Sequence, residues 1–341
     1  MPRSKGPREE AILIGVYVDD LFVLSTHADE HSLYHTFTTD LQSSWEVEDE
    51  GEISDLLNVE IRREGKDVIL TQTSYIAKML ETYAPDGVPA WFQSSRAPCD
   101  DKLVHAVCEA LCNKNPPDPI LLRKYQSLVG ALLYCTTQTR PDAGYAVGYL
   151  GRAMGKPTPE LYDQALKVLY YLYLHRDVGL RYSTSDRPIY GMSDSDWATK
   201  HSTSGSVFMW QSAAISWSSK KQATIALSST EAEVVAASEA SKEGISMRSL
   251  LQELSEHDDK PMSLAVDNQS AIAVAYNPEH HSRMKHVERR HFFVRECVEN
   301  QQLVLPFVNT HENLADFFTK PLEPKKFFAF RNVIMNHRRS M

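Results

Sequence analysis

Hydrophobic patterning first becomes regular at residues 11–25, where aliphatic, β-branched and aromatic residues flank the polar pair Asp19-Asp20. Apolar runs on both sides of a turn-forming pair predict a hairpin that turns at the two aspartates. Residues 32–44 carry a helical period. The stretch ISDLLNVEIRREGKDVILTQTSYIAKML reads as a second hairpin turning at Gly65-Lys66, followed by a helix from Ser74. Residues 84–118 are rich in Pro, Asp and Ser, show no period, and are expected to form a loop or linker. From Leu121 to His175 apolar positions recur at helical spacing. Breaks fall at Arg140-Pro141 and at Lys156-Pro157-Thr158-Pro159, where proline opens new helices. Residues 177–188 read as a second junction.

Beyond that junction the period shortens. Strands are predicted at 189–194, 205–210 and 213–218, then a long helix from about Ser228 to Leu254. A strand at 262–267, a short helix, a basic helix over 283–299, a strand at 303–308 and a final helix follow. Three antiparallel-looking strands and then alternating helix and strand predict an α/β fold, a mixed sheet covered by helices.

Composition narrows this little. A chain of 341 residues is long enough for two domains, and an apolar content of 42% supports a sizeable core. The net charge of −9 argues against nucleic acid as a partner unless a local basic face overrides it. The five cysteines form no CxxC pair and no zinc spacing, so reduced, buried thiols of an intracellular protein are expected. The polar start MPRSKGPREE and the apolar run broken by Asp19 and Asp20 fit neither a signal peptide nor a membrane span. No targeting signal is visible, which leaves a cytoplasmic location as the default and the nucleus open.

The candidate chemistry lies in carboxylates. Asp19 and Asp20 repel each other unless a cation neutralises them, which points to a magnesium site; the alternative is an ordinary hairpin turn. Four more acids stand further on, each with a plain structural alternative. Asp194 closes a strand and could be a turn residue. Glu231 completes Ser228-x-x-Glu231, a capping box. Asp267 ends a strand and could cap the helix near Asn268. Asp316 is expected on the last helix, where it could face solvent. Together, two acids at strand ends and two on helices can gather at one sheet edge, where they would need divalent cations. Asp196 shares a strand face with Asp194 and could replace it. Arg283, Lys285, Arg289, Arg290 and Arg295, interleaved with His286 and His291, could form a positive face for phosphates; the alternative is a solvated helix balanced by Glu288 and Glu296. Trp197, Trp210 and Trp217 are expected in the core.

Several strings resemble one family. SDSDWATKHSTSGSVFMWQSAAISWSSKKQATIALSSTEAEVVAASEA, DNQSAIAVAYNPEHHSRMKHVERRHFFVRE and NTHENLADFFTKPL are similar to the ribonuclease H domain of copia-type LTR-retrotransposon polyproteins. Upstream, YVDDLFVLS, LNVEIRREGKDVILTQTSYIAKML and YQSLVGALLYCTTQTRPDAGYAVGYLGRAM resemble that family's reverse transcriptase and connection. The resemblance covers about residues 11 to 330. It implies a partial reverse-transcriptase palm over 1–98, a linker and helical thumb or connection over 99–185, a ribonuclease H-like mixed sheet with flanking helices over 186–330, and a tail over 331–341.

The resemblance implies roles as well. Asp19 and Asp20 fall on the polymerase metal pair, and Asp194, Glu231, Asp267 and Asp316 on the ribonuclease H quartet that holds two Mg2+ or Mn2+ ions. His311 falls close to a mobile histidine that acts near product release. The expected activity is metal-dependent cleavage of RNA in RNA–DNA hybrids, in the cytoplasm, in a virus-like particle or in the nucleus. The family's polymerase needs a third aspartate on a strand well before YVDD. This chain alone is therefore expected not to extend a primer, unless a partner chain supplies the missing palm and fingers. The alternative is a catalytically silent fragment that only binds nucleic acid. Two departures stand out. The charged turn after Trp197 is shortened to ATKH, and the order His291-Phe292 puts a supporting role for His291 in question.

Overall fold

The computed structural model describes residues 10–27, 29–197, 201–254, 260–276 and 288–337. They form two compact units, one ending at Leu56 and the other beginning at Leu57. No helix among them is long and apolar enough to cross a membrane.

The first unit carries the hairpin. Strands β1 (Ile12–Tyr17) and β2 (Asp20–Ser25) pair antiparallel from Ile12↔Ser25 to Tyr17↔Asp20. The turn is Val18-Asp19, one residue earlier than expected. Val18 takes a left-handed φ of 52°, uncommon for a β-branched residue, and Asp20 is drawn into β2 opposite Tyr17. Gly15 faces Phe22, whose ring fills the space a Cβ would need. Helix α1 (Leu33–Ser44) starts where Ser32 Oγ accepts the His35 N–H at 3.2 Å. The short strand β3 (Asp55–Leu56) closes the unit.

The second unit opens with β4 (Val59–Glu64) and β5 (Asp67–Thr71), the hairpin expected around Gly65-Lys66. A third strand, β6 (Leu180–Tyr182), adds to β5 from within the predicted junction 177–188. Between these strands run α2 (Thr73–Tyr83), α3 (Asp101–Cys112), α4 (Pro119–Gln138), α5 (Gly144–Gly151) and α6 (Pro159–Leu174). Proline stands in the first turn of α4 and α6, and Asp118 and Thr158 cap them. Helix α3 lies inside the expected loop 84–118. Asp100 caps it, and Leu103, Ala106, Val107 and Ala110 are buried at helical spacing; polar residues on both flanks diluted that period. After α4 a polar knot is sealed into the interior. Arg140, fully buried, grips Asp142 through Nε–Oδ1 at 2.9 Å and Nη2–Oδ2 at 2.7 Å, and the Tyr171 hydroxyl donates to Asp142 Oδ2 at 2.6 Å.

The larger sheet follows. Strands β7 (Tyr190–Asp196), β8 (Thr203–Trp210) and β9 (Ala213–Lys221) form an antiparallel meander. After α7 (Ser229–Glu253), strand β10 (Met262–Val266) pairs parallel to β7. Then come α8 (Gln269–Tyr276), α9 (Glu288–Glu299) and β11 (Leu303–Val304), which is parallel to β10. The order is β11-β10-β7-β8-β9, the mixed α/β arrangement expected from the pattern. Side chains alternate across it. Phe208 and Leu264 join Ala240 and Leu251 of α7 on one face. Val207, Met209 and Ala214 join Phe317 and Phe318 and the helical core on the other.

Asp316 is not on the final helix but in a 3-10 turn, Leu314–Phe318, laid across β7 and β8. The final helix, α10 (Pro324–Ile334), runs past residue 330, and Ile334 and Met335 are fully buried. Cys99, Cys135 and Cys297 are buried free thiols, as expected, whereas Cys108 and Cys112 are exposed on α3. Trp197 departs too, with half its surface open.

Candidate metal-binding active site

The site forms where β7, β10 and α7 meet. One carboxylate oxygen from each of Asp194, Glu233 and Asp267 lies within 4.8 Å of the other two. Asp194 is in β7, opposite Gly205 of β8. Asp267 directly follows β10, which is parallel to β7, so both acids emerge toward the same sheet end. Asn268 rather than Asp267 caps α8, its Oδ1 accepting the Ala271 N–H at 3.0 Å, and the Asp267 carboxylate is left for the cluster.

The third member is Glu233, not the expected Glu231. Helix α7 begins with the capping arrangement legible in the sequence. Ser228 Oγ accepts the Glu231 N–H at 3.1 Å, and Glu231 Oε2 accepts the Leu227 N–H at 2.7 Å. Those bonds hold Glu231 at the helix start. Two residues on, about 200° around the helix, Glu233 is buried and aimed at the sheet. The start of α7 is tied down from two sides. Gln222 Nε2 donates to Ala232 O and to Ser204 Oγ, each at 2.9 Å, and Trp197 Nε1 donates to Ala226 O at 3.1 Å.

Burial governs the electrostatics. It raises the Asp194 carboxyl to about 7, helped by the charges of Asp316 and Asp267 and opposed by a hydrogen bond from Thr319 Oγ1 to Oδ2. Burial also raises Glu233, to about 9, with Asp194 and Asp267 adding to it. Its Oε1 accepts from Ser195 N at 3.1 Å and Ser195 Oγ at 3.0 Å, while the buried Oε2 has no hydrogen-bond partner. A buried acceptor without a donor carries a free-energy cost that a bound cation would offset. Three convergent carboxylates, one with an orphaned oxygen, fit a hard divalent cation such as Mg2+.

Asp316 borders this group. Its carboxylate is 1% exposed, with Lys320 Nζ 2.8 Å from Oδ1 and Lys326 Nζ 2.7 Å from Oδ2. Its turn is docked by Asn313 Nδ2 donating to Ser193 O at 3.0 Å. Close approach is permitted by Gly205, where a Cβ would stand 2.6 Å from Thr319 and 2.8 Å from Ala315 O. Asp196 is half-buried on β7 and lies outside the three-acid group. His311 is exposed in the loop before Asn313 and also lies outside the group. Asp19 and Asp20 are exposed at the hairpin tip of the first unit, and among the described residues no third ligating side chain joins them. Arg283 and Lys285 lie outside the described residues, and Arg289 and Arg290 are on α9.

The chain has recognisable relatives. A Ty5-1 transposon protein of Saccharomyces cerevisiae is 33% identical over 249 residues, 69% of this chain and 73% of its own length. The Pol polyprotein of transposon TNT 1-94 from Nicotiana tabacum is 31% identical over 96% of this chain. The chain belongs to the retrovirus-related Pol polyproteins of copia-type transposons. This Pol chain is also 32% identical, over 94% of its residues, to the polyprotein of transposon RE1 from Arabidopsis thaliana. It spans 24% of the length of the tobacco relative and 21% of RE1. No protein-family model matches it. A solved structure, the foamy viral protease-reverse transcriptase in complex with RNA/DNA hybrid, resembles this Pol chain with a TM-score of 0.34 and 13% identity. That likeness covers 66% of this chain and 28% of the viral one and is too slight to bear on the fold.

Proposed function

We propose that the second unit of this copia-type Pol chain is a metal-dependent ribonuclease H that cleaves the RNA strand of RNA–DNA hybrids. The observation that carries the reading is the convergence of Asp194, Glu233 and Asp267, brought together from residues far apart in sequence on two parallel strands and a crossing helix. Five strands with three antiparallel members and two parallel additions, flanked by helices, agree with a ribonuclease H-like body. A bound divalent cation would supply neutralisation of the acids, activation of water and stabilisation of the leaving oxygen.

The residues of the chain divide the remaining work. Asp194, Glu233 and Asp267 would hold the cation. Ser195 fixes one oxygen of Glu233, which leaves the other to ligate. Thr319 fixes Oδ2 of Asp194. A labelled RNA–DNA hybrid incubated with Mg2+ tests the reading, with the wild type beside Asp267→Asn. Cleavage by the wild type and its loss in the variant is the expected result. Binding without cleavage by both would leave the nucleic-acid-binding module as the function.

For the first unit, we propose that Asp19 and Asp20 are the metal pair of a polymerase hairpin. Both carboxylates are exposed at the hairpin tip, open to a cation; since a polymerase of this family completes such a pair with a further aspartate, we infer that this pair does not extend a primer by itself. Clear DNA synthesis from a primed template by this chain alone would refute that.

A further inference from the structure

Asp316 differs from its neighbours Asp194 and Glu233 because its charge is already balanced. Each of its oxygens faces an ammonium, Lys320 at 2.8 Å and Lys326 at 2.7 Å. A divalent cation on the same oxygens would meet a positive charge at close range in surroundings poor in water, where like-charge repulsion is strong. The two lysines are not equivalent. Lys326, in the first turn of α10, also lies 4.9 Å from the centre of the Phe330 ring, a second attachment. Lys320 leaves the 3-10 turn with its side chain 37% exposed, and it has Asp194 and Asp196 within electrostatic reach as well as Asp316. It supplies from the chain itself the positive charge that a cation shared by Asp194 and Asp316 would bring.

We propose that Lys320 is a built-in counter-cation of the metal site. It holds Asp316 back from ligation until an anionic substrate draws the ammonium away, so that without nucleic acid the site takes a single divalent cation. This rests on the reading of Asp194, Glu233 and Asp267 as a cation site. Entry of the second cation is then linked to the arrival of the phosphodiester, and the linkage is reciprocal: a second cation favours substrate as much as substrate favours it. The two-ion state required for cleavage would form on the substrate rather than ahead of it.

The test is a count of bound Mn2+ by electron paramagnetic resonance on the full chain, with Asp19→Asn and Asp20→Asn present in every form compared so that the hairpin pair adds nothing to the count. Wild type and Lys320→Arg should each bind one ion, and Lys320→Gln should bind two. Wild type with a hybrid whose RNA strand is 2′-O-methylated, and so resists cleavage, should also rise from one to two. Two ions on the wild type without nucleic acid would overturn the proposal, as would a Lys320→Gln count equal to the wild type's. If Lys320→Gln does not fold, the hybrid-loaded wild type decides, and a count that stays at one overturns it. An ion that is lost in Asp267→Asn but unaffected by Lys320→Gln or by hybrid would sink this inference alone. No bound ion in any form would sink the metal reading with it.

Discussion

Two buried carboxylates that face one another cannot both carry charge cheaply, and Asp194 and Glu233 show the result. Burial raises them to about 7 and about 9, from ordinary values of 3.8 and 4.5. A carboxyl raised in the folded state contributes stability below its unfolded value and loses it as pH rises through its folded value. In EDTA, therefore, stability against urea should fall as pH rises from about 4 to about 9, and saturating Mg2+ should flatten the fall. Stability that rose with pH across that window, measured without metal, would contradict the burial of these two groups. Substitution separates the first two glutamates of α7, Glu231 and Glu233. Glu233→Gln should cost at least the ~10–100-fold in cleavage that loss of a mere supporting partner costs elsewhere. Glu231→Gln should leave cleavage near wild type and cost at most about 1 kcal/mol of cap stability. Loss of cleavage in Glu231→Gln with Glu233→Gln near wild type would return the role to Glu231.

The difference between those glutamates was half visible in the sequence. Ser228-x-x-Glu231 identified a helix start, and a glutamate used in a capping box is poorly placed to serve the sheet. What the sequence did not display was the face on which Glu233 falls, because α7 is lined with small residues such as Ala237, Ala240 and Gly244 and carries no sharp apolar stripe. Asp267 was legible because it directly follows an apolar strand, and Asp194 because it stands near the end of one, although β7 runs on to Asp196 rather than closing at Asp194. Lys320 was not, since its importance comes from a contact with Asp316 that no pattern of local positions reveals.

At the scale of elements, the site depends on how closely the 3-10 turn lies on β8. Gly205 sets that distance, being paired with Asp194 on one side and pressed by Thr319 and Ala315 on the other. Gly205→Ala should lift the turn, loosen the Thr319 bond to Asp194 and reduce cleavage while the far end of the sheet stays intact. Circular dichroism together with the hybrid assay checks this, and unchanged activity would mean the turn can give way. Elements were read well where periodicity was long, as in α4, α6 and α7, and poorly where it was short or diluted. Strand β6 has three residues, too few for an alternation, and is held by pairing with β5. Helix α3 was hidden by the polar residues around its buried stripe.

Across the whole molecule, two buried charge clusters have opposite logic. Arg140 and Asp142 satisfy each other, with the aspartate held below its usual range by Arg140 and Tyr171 against the cost of its burial. Asp142→Ala leaves a fully buried guanidinium without its partner and should cost about 3–5 kcal/mol of unfolding free energy, measured by chemical denaturation. The acid cluster is instead unbalanced and gains from an added ion. Mg2+ at 100 times its dissociation constant should stabilise the fold by about 2.7 kcal/mol and raise Tm accordingly. Asp267→Asn should abolish that rise.

The turn carrying Asn313, Asp316 and Thr319 is made long after β7, yet it walls in an aspartate more than a hundred positions upstream. A ribosome making this protein releases β7 long before the wall exists. On a nascent chain the cleft stays open until the region around Thr319 clears the exit tunnel. Proteolytic trimming ahead of Asn313 would strip that wall away and, with Phe317, Phe318 and Ile334, a share of the core on which the strands rest.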